Sequence, residues 1–153
     1  MVIGVISDTH GLLRQEALAA LTGVDHILHA GDVGDPAILD ALRALAPVTA
    51  IRGNVDTQGK CSKLPATDFL ELAGKFIYLV HSIQWIDIDP VAAQVALVVS
   101  GHSHQPSIET RNGVLYLNPG SAGPRRFRLP VSVAAVNIEG DSITVRIIEL
   151  SCP

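Results

Sequence analysis

Val2-Ile3-Gly4-Val5-Ile6-Ser7-Asp8-Thr9-His10 opens as an apolar run and closes on two side chains that bind cations. An uninterrupted apolar run of this length is the pattern of a strand covered on both faces, as in a parallel sheet. The residues that follow extend the theme. Residues 13–21 place Leu13, Ala17, Ala20 and Leu21 at helical spacing, and residues 27–30 form a second apolar run. Pro36 opens a second helix with Ile38, Leu39, Leu42 and Leu45 on its buried side. Proline suits a first helical turn, where its amide hydrogen is not needed, and Asp35 stands where a cap belongs. Residues 48–51 read as a third strand. The order β-α-β-α-β predicts parallel strands joined by right-handed crossovers.

The character then changes. Residues 69–73 and 75–81 flank Gly74 like a hairpin, and residues 131–138 and 142–150 flank Gly140 in the same way. Residues 108–111 and 114–117 flank Asn112-Gly113, a strong signal for a two-residue turn. A short helix over residues 89–95 leads into an apolar strand at 96–100. The expectation is an α/β protein of two packed mixed β-sheets flanked by helices. Four layers, αββα, would form a single domain over residues 1–153, with mostly antiparallel strands in the second half.

Composition bounds the rest. With 153 residues and 48% hydrophobic content, the chain can bury a core without disulfide or metal staples. A net charge of -4 gives no general affinity for nucleic acid or anionic lipid, so neither is an expected partner. No apolar run approaches the roughly 18 residues of a membrane span. The first residues lack a basic leader and read as a buried strand, not a signal peptide. Cys61 and Cys152 are far apart, so neither a disulfide framework nor a thiolate zinc site is indicated. A reducing cytoplasm is the expected location. The apolar second sheet makes a homodimer an expectation as well.

Asp8, Asp32 and Asn54 each follow one of the first three strands, His81 ends residues 75–81, and His102 and His104 follow residues 96–100. In α/β sheets, ligands collect at the carboxyl ends of strands. In an extended chain, residues two apart face the same way, so Asp8 and His10, and likewise His102 and His104, would converge. Glycines at 31, 53 and 101 let the chain turn without a side chain intruding. Carboxylate, imidazole and amide donors together suit divalent Mn, Fe, Zn or Ni. There are enough of them for two ions, a device for hydrolysing phosphate esters.

Asp8-x-His10, Gly31-Asp32, Gly53-Asn54, His81, Gly101-His102-x-His104 and Asn118-Pro119-Gly120-Ser121 together resemble the calcineurin-like metallophosphoesterases. The likeness is to the small bacterial and archaeal phosphodiesterase branch. It implies the metallophosphoesterase fold and a small phosphodiester substrate. It also implies that Asp8, His10 and His104 hold one ion, that Asn54, His81 and His102 hold another, and that Asp32 bridges both. The implied cofactors are two divalent ions, manganese first, with Fe, Zn, Ni or Mg as alternatives. A hydroxide shared by ions about 3.5–4 Å apart would attack phosphorus. Asp32 and Asn54 are then the catalytic residues, Asn54 also offering its amide N–H to the phosphate.

The chain departs from that family in places. Many relatives carry a His after the Gly-Asn pair to protonate the leaving oxygen, and the small phosphodiesterases often carry Cys; here Val55 does neither. Ser82 follows His81 where Gly is usual. Asp56 is the nearest other proton source, though pairing with a neighbour or capping the turn suits it better. His29 is placed to orient a ligand from beneath and His26 to begin a strand. The turn at residues 118–121 reads as structural support. Arg125, Arg126 and Arg128 form the one basic cluster, a solvated loop or a reach toward a substrate phosphate. Trp85, Ile86 and Ile88 are left as core, lid or interface.

Two other functions compete. The retromer scaffold subunit resembles this family and also lacks the usual His, so a metal-binding scaffold is the alternative. The full ligand set speaks for the enzyme, since a pure scaffold has little reason to keep all seven side chains. A lactamase-like dinuclear hydrolase would need a dense His-x-His-x-Asp-His run, which is absent.

Overall fold

The computed structural model describes residues 1–152. The first half of the chain forms β1 (Val2–Ile6), α1 (Gln15–Ala20), β2 (His26–His29), α2 (Pro36–Arg43) and β3 (Val48–Ala50). The second half adds β4 (Thr67–Leu72), β5 (Lys75–Val80), β6 (Val95–Val99), β7 (Ser107–Arg111), β8 (Val114–Asn118), β9 (Ser132–Glu139) and β10 (Ser142–Glu149). One sheet runs in the order β10-β9-β1-β2-β3 and the other β4-β5-β6-β8-β7.

β1 sits at the centre of the first sheet, parallel to β2 and antiparallel to β9. Its unbroken apolar character has the anticipated cause. Ile3 and Val5 face a core shared with Ile77, Leu79, Leu97, Val99 and Leu117 of the second sheet. Ile6 faces the other way, into the layer filled by Ala17 and Leu21 from the α1 segment and Ile38, Leu39 and Leu42 of α2. Asp35 caps α2 as expected, its Oδ1 accepting from Ala37 N–H at 2.9 Å.

The three hairpins fall where the turn residues put them. Pairing of Leu72 with Lys75, and of Arg111 with Val114, leaves the two-residue turns Ala73-Gly74 and Asn112-Gly113. Both turns hold positive φ at each residue, the conformation whose twist matches the flanking strands.

One expectation is refined and one corrected. The second half is mostly antiparallel, as expected, through the pairs β4–β5, β7–β8 and β9–β10, but β5, β6 and β8 lie parallel at the centre of their sheet. Parallel neighbours need a crossover, and residues 81–94 supply one without an α-helix. The helix over residues 89–95 does not form. The Asp89 carboxylate takes the Val91 and Ala92 N–H groups, and Gln94 turns to a φ of 58°, so the coil ends after one turn. The outer face of the second sheet is therefore covered by turns, with Ile86, Ile88 and Ala93 packed on Tyr78, Val80, Val95, Val98 and Val114. No helix among the described residues is long and apolar enough to cross a membrane.

Candidate metal centre

The carboxyl ends of the parallel strands of both sheets meet at one rim. The loop after β1 is hydrogen-bonded to the loop after β2, through Asp8 N–H to Gly31 O at 3.0 Å and His10 N–H to Asp32 O at 2.9 Å. The end of β5 meets that of β6 through Gly101 N–H to His81 O at 2.9 Å. The turn at residues 118–121 fastens the rim from below. Asn118 Nδ2 donates to Gly101 O and Ser103 Oγ, each at 3.0 Å, and Ser121 Oγ donates to Asp8 O at 3.0 Å. It is structural support, as expected.

Backbone strain is concentrated here. Asp8, His10, Asp32, His102 and His104 all have positive φ, between 47° and 71°. L-residues adopt this conformation at a cost on the order of 1–3 kcal/mol each, and it persists where the surroundings over-determine it. The finding replaces the argument from an extended chain. Asp8 and His10 converge because both residues are left-handed, not because strand alternation continues past β1. Close approach also explains Gly53 and Gly101: a β-carbon at 53 would strike the Asp32 carboxylate, and one at 101 would strike Ser7 Oγ and Asp8 Oδ2.

Within the rim, His10 Nε2 lies 3.7 Å from Asp8 Oδ1 and 3.5 Å from Asp32 Oδ2. His81 Nε2 lies 3.8 Å from Asp8 Oδ1 and 3.2 Å from Asp32 Oδ2. His104 Nε2 is 3.5 Å from Asp8 Oδ1. Two groups of donors emerge: Asp8 with His10 and His104, and Asp8 with Asp32 and His81. The first is the expected triad. In the second the shared residue is Asp8, while Asp32 Oδ2 also stands between His10 and His81. Asp8 is fully buried, yet its Oδ1 has no hydrogen-bond partner, and neither has the buried His10 Nε2. Leaving buried polar atoms unpaired costs about 1–3 kcal/mol each, a deficit that a divalent cation among these atoms would remove.

Asn54 tells the same story. Its amide end faces only acceptors, both Asp32 oxygens at 3.1 Å and His81 Nε2 at 3.2 Å. The amide nitrogen turned this way donates to all three, and an amide offers an oxygen donor in the opposite orientation. His102 is the outermost of the expected ligands. Its ring is exposed and packs edge-on against His81, centroids 5.3 Å apart, while its N–H donates to Asp8 Oδ2 at 3.1 Å.

His81 Nδ1–H donates to Ala30 O at 2.7 Å, so the neutral ring aims its Nε2 lone pair into the cluster and the protonated ring donates Nε2–H to Asp32 Oδ2 at 3.2 Å. Burial opposes a charge on this ring, but the Asp32 hydrogen bond, the Ala30 carbonyl and the charges of Asp8 and Asp32 prevail and raise its pKa. Burial likewise works against an ionised Asp32. The hydrogen bonds from His81 and from Val55 N–H, with the nearby His10, outweigh it and bring its pKa down to about 2. His104 is held below its ordinary value by burial, with Asp8 opposing and Arg126 adding to the effect.

Other residues take clear places. Asp56 is buried and accepts from Val33, Gly34 and Gly53 N–H at 3.1, 3.0 and 2.9 Å, tying the Asp32 loop to the Asn54 loop. His29 lies fully buried beneath the site. Its Nδ1 accepts from Gly31 N–H at 3.1 Å and its Nε2–H faces Thr9 Oγ1 at 3.0 Å, which in turn donates to Val33 O. Burial keeps it neutral, its pKa down to about 4 against the charges of Asp8, Asp56 and Asp32. His26 pairs with Thr49 on the neighbouring strand. Arg125, Arg126 and Arg128 are exposed, and Arg125 reaches Cys152 O at 3.5 Å. Val55 is exposed beside Asp32, with its N–H on Asp32 Oδ1 at 3.0 Å.

Trp85 is the residue that sequence reasoning left without a role. Its indole stands 5.5 Å from the His102 ring and 6.1 Å from the His81 ring. Its position just after His81 was the available signal. A cleft of about 300 Å³ opens beside His102, walled by Ser82, Ser103, Ser107, Arg111 and Tyr116.

A cation-seeking rim carried on two facing mixed sheets defines a class of protein, the metallophosphoesterases, which bind divalent metal. The chain belongs to the calcineurin-like phosphoesterase superfamily, whose domain matches residues 1–141. It is 33% identical to a probable metallophosphoesterase of Methanothermobacter thermautotrophicus, over 100% of this chain and 95% of that protein. It is 34% identical to another from Methanocaldococcus jannaschii, over 98% of this chain and 82% of that protein. Among solved structures, an archaeal phosphodiesterase superposes with a TM-score of 0.80 at 21% identity, covering 97% of this chain and 100% of the other. Vps29 of Entamoeba histolytica, solved with zinc, superposes with a TM-score of 0.75 at 23% identity, covering 97% and 99%. At such identities these two likenesses speak for the fold.

Proposed function

We propose that the chain is a metal-dependent phosphodiesterase hydrolysing a small diester in the cytoplasm, with two divalent ions, manganese first among them. The observation that carries this reading is the pair of unpartnered buried atoms, Asp8 Oδ1 and His10 Nε2, facing Asp32, His81 and His104. Asp8, His10 and His104 would hold one ion and Asn54, His81 and His102 the other, with Asp32 serving both. Bound ions of this kind supply Lewis acidity and an activated water. The side chains do the rest. Asp32, ionised down to a pKa of about 2, keeps its negative charge at any working pH. Asn54 is placed to hydrogen-bond the phosphate, and the left-handed residues of the rim fix the donors before substrate arrives.

Neither residue after Asn54 stands ready to protonate the leaving oxygen. Val55 has no proton to give, and Asp56 is occupied by its three backbone partners. General acid catalysis contributes roughly 10²–10⁴ in rate, so esters with good leaving groups should be preferred. Manganese-dependent hydrolysis of bis(nitrophenyl) phosphate, abolished by Asp32→Ala, is the expected result. A metal-binding scaffold is the second reading, favoured by Val55 and by the Vps29 fold. Full metal occupancy with no hydrolysis of any ester would establish it instead.

A further inference from the structure

β5 ends at Val80, His81 follows, and the chain then coils through the 3-10 turn Ile83–Trp85, closed by Trp85 N–H on Ser82 O at 2.9 Å. That turn carries the indole back to the mouth of the metal centre. There it is tilted against two imidazoles of the rim, by 42° to His81 and 44° to His102, and remains 51% exposed. An isolated exposed apolar side chain is ordinary on a protein surface. This one differs because its neighbours are the site's own rings, so a phosphate held at the cluster brings its organic group within reach of the indole. On the Asp32 side the mouth is bordered by a second exposed apolar group, Val55, at 46%.

We propose that Trp85 is a specificity-determining residue that stacks on the organic group of the bound ester, so that the site takes phosphate esters bearing an aromatic ring over alkyl ones. This rests on the phosphodiesterase reading for its substrate, but the stacking does not depend on hydrolysis. Indole offers a large rigid face at little entropic cost, and its ring quadrupole favours offset stacking on another flat ring. The preference also agrees with Val55, which has no proton to give, because aromatic alcohols leave more readily as anions.

Phosphonates separate binding from chemistry, since their carbon–phosphorus bond is not hydrolysed. Calorimetric titration of the manganese-loaded protein should show phenylphosphonate binding about tenfold tighter than methylphosphonate, within the range that a stacking partner contributes. Trp85→Leu should erase that ratio and Trp85→Phe should keep most of it. The chain has one tryptophan, so its emission should change with phenylphosphonate and hardly at all with methylphosphonate. Equal affinities, a ratio that survives in Trp85→Leu, or no binding of either phosphonate would overturn the proposal. Diester hydrolysis without ring preference would sink this inference alone. Ring preference without hydrolysis would sink the phosphodiesterase reading and leave the stacking intact.

Discussion

His81 Nε2 stands 3.2 Å from Asp32 Oδ2, and both side chains are almost fully buried. Two elements from different sheets, β2 and β5, have thus brought an acid and a base into contact below the protein surface. The Ala30 carbonyl behind His81 and the Val55 N–H behind Asp32 hold the pair in place. The pair itself is favourable, and the cost in the metal-free protein lies beside it, in the unpartnered Asp8 Oδ1 and His10 Nε2.

That cost should be visible in Asp8→Asn. Asp8 Oδ2 accepts from Ser7 Oγ and His102 N–H, but Oδ1 has no partner. An amide nitrogen at that position becomes a donor facing three imidazole nitrogens. Thermal unfolding without metal should show the variant more stable than the parent, by about 1 kcal/mol, while the stabilisation by added manganese largely disappears. A variant less stable than its parent in chelator would contradict the assignment of Asp8 to a strained cation site.

Acid should weaken the metal-free fold through His29. Burial lowers its pKa from 6.5 to about 4, so between these values the unfolded chain binds a proton that the folded chain refuses. The stability tied to a neutral His29 is complete above pH 6.5 and falls as pH drops toward 4, by at most about 1.4 kcal/mol per pH unit. His81 acts in a separate window. Its raised pKa gives stability that is present below pH 6.5 and lost as pH rises through its folded value. Urea unfolding at pH 5 and pH 7 checks this. His29→Leu should be less stable at pH 7 yet show a flatter decline.

Asp56 should prove to be a structural acceptor. Removing it strands three backbone N–H groups, so Asp56→Ala should lose about 2–4 kcal/mol of stability. Asp56→Asn should recover part of that loss and leave the pH dependence of hydrolysis unchanged. Loss of the high-pH limb in the Asn variant would reassign Asp56 as a proton donor.

Val55→His should restore a proton donor at the mouth of the site. The position is half-exposed, so the larger ring fits without repacking a core. Hydrolysis of an alkyl phosphodiester should then rise relative to the nitrophenyl ester by roughly 10- to 100-fold, the lower part of what general acids contribute. An unchanged ratio would show that leaving-group protonation does not limit the reaction.

Much of this was legible in the residues themselves. The β-α-β-α-β start, the two-residue turns and the Asp35 cap each follow from local chemistry that no tertiary contact overrides. The strand-end placement of Asp8, Asp32 and His81 was legible because ligands follow strands in α/β proteins. The parallel centre of the second sheet was not, because β5, β6 and β8 carry apolar runs that fit either pairing and residues 81–94 make a crossover without a helical pattern. The left-handed backbone of Asp8, His10, Asp32, His102 and His104 was hidden for another reason. Outside Gly and the Asn of a tight turn, a sequence marks positive φ only weakly, and these residues are held there by the packed rim. Trp85 was missed because its neighbours, His81 and His102, are brought together by separate strands of the second sheet.

The most direct test is to titrate the metal-free protein with manganese while following hydrolysis of bis(nitrophenyl) phosphate. Activity should be absent without metal, rise to a plateau at two ions per chain, and stay at background in Asp32→Ala. Hydrolysis that survives complete removal of metal, or a fully loaded protein that cleaves no ester, would contradict the account.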